Sequence, residues 1–448
     1  MSKYIFNNED YGRYYFFTQF IELNNEKLGV DAVRAAEIIT AKSAESFTPN
    51  EIEFYKTFIH ESQHFLDSTS TLWGIEYSIR LFNCLNNENH PKYVDVFALN
   101  DSEIEQHTDL NRETESDHFS YREMRSILSY DEDHGVHIQF KYYDNDGFEF
   151  SLVHTTPLSM LAVLEGHAFS QEQLISLELY DSRMDSVSLH LVESKYKDTL
   201  KKINSTEYTC VLAFVEHIFP KLEFKNKLKI VTYASELVLN IPVFMPSVQE
   251  SYIDVLFQNS DPELISSLKM ELARGMNRSS LLCIILLLLQ WSFEKEPIDE
   301  QGSFEKQLEN RLFSVFLHEG QDLSSWKERF FMLWEMEYDN GCKLLAEKNI
   351  ELVRLSAVGN KNEPSHYFNK SNLVLPSIAL STGEFVSSVN ELDYDMEKHY
   401  YEFSDNANSL QGLLAQRKGK KPHLRPYVYH DWLERIKRGE TGTKFYPE

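Results

Sequence analysis

Two histidines four positions apart, with a glutamate directly after the first, are the residues of this chain with the clearest chemical meaning: His60-Glu61-Ser62-Gln63-His64. On a helix, side chains at i and i+4 share a face, so both imidazoles can reach one divalent ion, and imidazole nitrogen suits zinc. Glu61 is then placed to take a proton from a water polarised by that ion. Two ligands and a general base thus fall within five residues. The chemistry they suit is metal-assisted hydrolysis.

Such a motif works only on a helix, and the flanking sequence supplies one. Thr48-Pro49-Asn50-Glu51 carries a helix start: Thr as N-cap, Pro in the first turn, Glu closing a capping box. Ile52, Phe54, Tyr55, Phe58, Ile59, Phe65 and Leu66 then form an apolar helix face. Residues 57–66 resemble the extended zincin pattern, with uncharged residues between Glu and the second His and apolar residues around the motif. The longer metzincin form fails, since Asp67 and Ser70 stand where it needs Gly and a third ligand.

A zincin site needs a third protein ligand. Thr155-Thr156-Pro157 reads as a second N-cap and Pro start, opening a helix from Leu158. Within it Leu164-Glu165-Gly166-His167-Ala168 resembles the W-L-x-E-G-x-A segment of gluzincin peptidases, whose Glu completes the zinc site. The resemblance implies Glu165 as third ligand to Zn²⁺, beside His60 and His64, with Glu61 as the catalytic base. A carboxylate on an otherwise apolar helix needs a compensating charge, which a metal provides. The sequence departs from the family in two ways. Glu165 lies 101 positions after His64, a longer gap than usual, and Phe169 replaces the acidic residue that orients a ligating His. Asp67, Glu172 or a backbone carbonyl are the candidates for that role. Glu76 and His154 stay open as other ligands, and His167, turned away from the face of Glu165, reads as structural. An oxyanion-stabilising residue would come from far along the chain, and His217, Tyr252, His318, His366 and Tyr367 are not ranked.

Composition limits the setting. A net charge of -26 argues against nucleic-acid binding and favours basic partners or plain solvation. Thirty Phe and 24 Tyr suit a large packed interior. Cys84, Cys210, Cys283 and Cys342 are scattered without a CxxC grouping, as expected of free thiols in a reducing compartment. The N-terminal residues lack the apolar stretch of an export signal, and the apolar run 281–289 is far shorter than the ~20 residues a bilayer needs. A cytoplasmic location without a membrane is expected.

The chain as a whole reads as α+β and predominantly helical: a zincin-like core over 1–195, with an acidic insertion at about 89–133; a helical domain over 196–410; and a basic tail over 411–448. Residues 101–150 carry fourteen acidic and four basic side chains, whereas 411–448 carry nine basic and four acidic. The alternation in 136–143 and 148–153 around a D-N-D-G turn predicts a hairpin, either structural or the edge on which a peptide could add as a strand. Residues 359–365 read as a linker-like break. The expected function is zinc-dependent cleavage of a specific intracellular protein, under control of a regulatory protein partner if it has one. The alternatives are a non-catalytic zincin fold and a helical interaction module with a fortuitous motif.

Overall fold

Thr48 begins the helix that carries the motif as its side chain implies. Its hydroxyl accepts from the Glu51 N–H at 3.4 Å, and the Glu51 carboxylate accepts from the Thr48 N–H at 2.6 Å, in the computed structural model of the chain. The structure describes residues between 11 and 400, leaving out 17, 42–45, 86–106, 108–119, 132–133, 146–149, 183–185, 202–205, 244, 246–247, 274, 276, 300–301, 319, 363–367 and 370. Most of the acidic insertion, His366, Tyr367 and the basic tail lie outside the described residues.

The first strands, β1 (Gly12–Tyr14) and β2 (Ile21–Leu23), form an antiparallel pair. Two helices follow, α1 (Asn25–Leu28) and α2 (Ala32–Thr40), then the motif helix α3 (Pro49–Thr69) and α4 (Leu72–Leu85). Gly74 permits the tight turn between these last two, because a Cβ there would lie 2.3 Å from the Asp67 carbonyl oxygen. Strands β3 (Glu123–Asp131), β4 (Gly135–Asn145) and β5 (Phe150–Pro157) make a separate antiparallel sheet. The hairpin expected from the sequence is β4–β5, and β3 adds a third strand across it.

Next come α5 (Met160–Ser182), α6 (Ser186–Thr199), α7 (Thr206–Ile218), α8 (Phe224–Leu239), α9 (Glu250–Leu256), α10 (Pro262–Ala273) and α11 (Arg278–Lys295). The chain continues through α12 (Phe304–Ser314), α13 (Leu323–Glu347) and α14 (Glu351–Asn360) to β6 (Ile378–Leu380) and β7 (Phe385–Val386). The fold is therefore predominantly helical, with two small sheets among the described residues. No single helix among the described residues is long and apolar enough to cross a membrane.

Two local expectations are corrected. Thr155, Thr156 and Pro157 do not open the second helix; they end strand β5, with Pro157 in register with Gln139. The helix begins two residues later, and Ser159 caps it by accepting from the Ala162 N–H at 3.1 Å. A Thr-Thr-Pro run suits a strand end as well as a cap, because proline needs no ladder donor at a strand terminus. Gly359 and Asn360 belong to α14, where buried Asn360 is bonded to both the N–H and the carbonyl of Val374.

Helices α3 and α5 pack on each other at the centre. α4, α2, α14 and the β1–β2 pair surround the first, and α6, α7, α8 and α11 the second. From Phe58 to Thr69 every residue of α3 is buried, so the motif sits inside the protein and not on a solvent-facing stripe. One apolar cluster runs from Tyr14 to Met396 and crosses residue 195 without a break. A smaller one joins Leu72 and Ile75 of α4 to Tyr338 and Leu345 of α13 and Val353 and Ala357 of α14.

Candidate metal centre

His60 and His64 project from α3 toward α5, where Glu165 meets both. Glu165 Oε2 lies 3.1 Å from each Nε2 atom, and the two Nε2 atoms are 3.2 Å apart. The rings are nearly perpendicular, at 82°. Glu165 and His64 are shut off from solvent, at 1 % and 0 % exposure. Glu165 Oε1 and His64 Nδ1 find no hydrogen-bond partner.

Three ligand atoms thus converge at nearly equal spacing in a buried site. Ligands held tetrahedrally at ~2.0–2.1 Å from zinc are themselves about 3.3 Å apart. Two imidazole nitrogens and one carboxylate oxygen are also the donor set zinc takes. The residues fit the ion, and no other group of His, Cys, Asp and Glu side chains among the described residues converges in this way.

Electrostatics explain how so polar a site survives burial. Burial would raise the Glu165 carboxyl, but the neighbouring His64 and the hydrogen bonds from His60 and His64 outweigh it and hold the group at about 2. Burial would lower His60, yet hydrogen bonding to Glu165 and Glu172 keeps it well above the ordinary 6.5. The outer support is Glu172, whose Oε2 is 3.4 Å from His60 Nδ1 and whose Oε1 is 3.1 Å from the Lys56 ammonium. Glu172 lies seven positions after Glu165, two helical turns along α5, so the orienting carboxylate sits one turn beyond Phe169. Glu172→Gln is expected to weaken zinc binding by ~10–100-fold, the usual cost of losing such a partner, while the fold persists. Competition against a fluorescent zinc chelator reads this directly.

Asp67 serves elsewhere. Its carboxylate accepts from His167 Nδ1 at 3.1 Å and from Gln63 Nε2 at 2.8 Å, a fully buried cross-link between α3 and α5. His167 is structural, as the sequence indicates. Of the other candidates, Glu76 is partly exposed on α4, near Arg80, and His154 is buried on β5 beside Tyr142. Neither joins the triad. His217, Tyr252 and His318 make no hydrogen bond, ion pair or ring contact with it.

Glu61 lies under strand β1. A Cβ on Gly12 would stand 3.0 Å from Glu61 Oε1 and 2.5 Å from Thr57 Cγ2, so only glycine lets the strand lie this close to the motif. The strand along α3 is therefore β1, not the β4–β5 hairpin, whose sheet packs on α10, α11 and α7. β1 ends its sheet in the order β1-β2-β6-β7, and among the described residues no strand pairs with its outer edge. Tyr14 of β1 and Phe16 pack on the His64 ring, at 6.1 and 5.8 Å between centroids.

The first turn of α7 closes the other flank. The Tyr208 ring packs on His60 at 5.8 Å between centroids. Glu207, beside it, is pushed up to about 8, by burial and then by the charge of Glu165. His107 bridges Thr206 Oγ1 at 3.1 Å and Ser159 Oγ at 3.2 Å. Neither Gly12 nor these residues stand at any fixed spacing from the motif; only the glycine within an aromatic run, Tyr11-Gly12-Arg13-Tyr14-Tyr15, hints at a close approach.

Comparison with protein-family models, with curated proteins and with solved structures finds no match to this chain. The site is described by its own geometry: a buried His/His/Glu group that could hold a metal ion, with a glutamate directly after His60.

Proposed function

We propose that the protein is a zinc-dependent peptidase of the gluzincin type, with His60, His64 and Glu165 as ligands and Glu61 as general base. The observation that carries this reading is the convergence of three buried donor atoms within 3.2 Å of one another, with Glu61 one residue from the first. A fortuitous motif on a surface helix has no reason to be buried and completed by a carboxylate from a helix 101 residues away.

Zinc bound there would supply Lewis acidity, activating water and polarising a substrate carbonyl. His60, His64 and Glu165 hold the ion, and Glu172 fixes the His60 ring. Glu61 accepts a proton from the attacking water on its carboxylate and delivers it to the leaving amide nitrogen. The open edge of β1 suits an extended peptide, whose backbone would add as a strand across Glu61. A side chain at position 12 would displace that carboxylate. Cys210, Cys283 and Cys342 are free thiols, which suits the reducing cytoplasm. The test is elemental zinc content together with peptide cleavage that depends on Glu61.

The metal-free state has its own signature. Carboxyls held near 2, against 4.5 ordinarily, stabilise the fold above pH 4.5 and cease to as the pH falls toward 2. An imidazolium held above 6.5 stabilises below pH 6.5 and ceases to as the pH rises through its folded value. In chelator, this cluster is therefore expected to contribute most between pH 4.5 and 6.5. Thermal melts across the pH range check it: the difference between wild type and Glu165→Gln should peak in that window, and a difference independent of pH would contradict it.

A further inference from the structure

We propose that Glu207 selects a cationic side chain of the substrate next to the metal centre, an inference that rests on the peptidase reading and adds the substrate class. Its neighbours fix its place. Tyr208 packs on His60, and Thr206 is held through His107 to Ser159 at the start of α5. The first turn of α7 is thus anchored to the ligand-bearing helices on both sides of Glu207.

The Glu207 side chain is 26 % exposed, against 1 % for Glu165, so a ligand from solvent can reach it. Other carboxylates partly sheltered in this protein have a built-in cation: Glu172 has Lys56, Glu216 has Lys227 and Glu305 has Lys229. No Lys or Arg among the described residues pairs with Glu207. The basic group near it is His107, 3.9 Å away, whose ring burial keeps neutral. A half-sheltered Glu207 beside the His60/His64/Glu165 group, with no Lys or Arg partner among the described residues, is held protonated by its surroundings and would ionise against an ammonium or guanidinium from outside. A neutral side chain would leave it protonated and gain no ion pair, and an acidic one would find no cation there. The net charge of -26 would also draw basic peptides toward the protein.

The test compares matched fluorogenic peptides that differ only in Lys or Gln near the scissile bond, cleaved by zinc-loaded wild type, Glu207→Gln and, as a charge control, exposed Glu263→Gln. The Lys-to-Gln ratio of kcat/KM is expected to fall about tenfold or more in Glu207→Gln and to stay unchanged in Glu263→Gln. Cleavage by wild type with no preference for Lys, or a ratio unchanged in Glu207→Gln, overturns the inference and leaves the peptidase reading standing. If wild type cleaves neither peptide, the peptidase reading fails, and binding decides the cation site. The same two peptides are then titrated onto zinc-loaded Glu61→Gln with and without Glu207→Gln. A Lys preference in binding that depends on Glu207 supports the site, and equal affinities overturn it.

Discussion

Glu61→Gln is expected to lose ~10²–10⁴-fold or more in peptide turnover, the scale of a general base, while keeping zinc at the wild-type stoichiometry. Glutamine has nearly the same shape and can remain beneath Gly12, but its amide cannot take up the proton. Glu61 is also not one of the three converging atoms, so the metal should not notice the change. The measurement pairs elemental zinc analysis with cleavage of a peptide library. Robust cleavage by the pure, zinc-loaded variant would sink the proposed base. One zinc per wild-type chain without cleavage of any peptide would instead favour a binding protein in which the metal is structural.

The second large effect concerns the metal itself. His60→Ala and Glu165→Ala should each lower zinc affinity by more than the ~10–100-fold that an outer partner costs, leaving dialysed protein essentially metal-free. Each removes one of three ligands from a site where solvent cannot readily replace it, since Glu165 is 1 % exposed and His60 8 %. Zinc should raise the wild-type melting temperature by linkage and leave both variants unmoved. Glu76→Ala, at a partly exposed position of α4, should behave as wild type. Zinc retained in Glu165→Ala but lost from His60→Ala would move the third ligand elsewhere, with Glu172 the nearest carboxylate to consider.

What the sequence disclosed follows the range of the interactions involved. The start of α3 is written in four adjacent residues, because capping is a local event between Thr48 and Glu51. The apolar run 281–289 falls likewise inside a single helix, α11. Glu165 was reachable through the segment around it, and its burial on α5 agrees with the need for a compensating charge. The end of β5 is ambiguous in sequence because Thr155-Thr156-Pro157 satisfies two local rules at once, and only pairing with β4 decides between them. Gly12 over Glu61 was hidden for a different reason. A three-residue strand carries almost no periodicity, and its contact with α3 spans 49 positions of sequence. The first turn of α7 was likewise out of reach. Thr206, Glu207 and Tyr208 gain meaning only from where α7 docks, which no spacing within the chain encodes.

The pairing of β2 with β6 has a consequence for biogenesis. Glu22 aligns with Ala379, and Leu23 with Leu380, so the sheet that lays β1 over Glu61 is closed by residues more than three hundred positions downstream. His399 adds a second long clasp, 2.6 Å from the Thr18 carbonyl oxygen. Such distant pairings form late, because the entropy of closing the intervening chain must be met first. On the ribosome, the motif helix and its third ligand emerge long before the strand that roofs them can be secured. A nascent chain would therefore hold His60, His64 and Glu165 while Glu61 still lacked a settled roof. On the peptidase reading, competence would wait until residues 378–380 had been made and paired with β2.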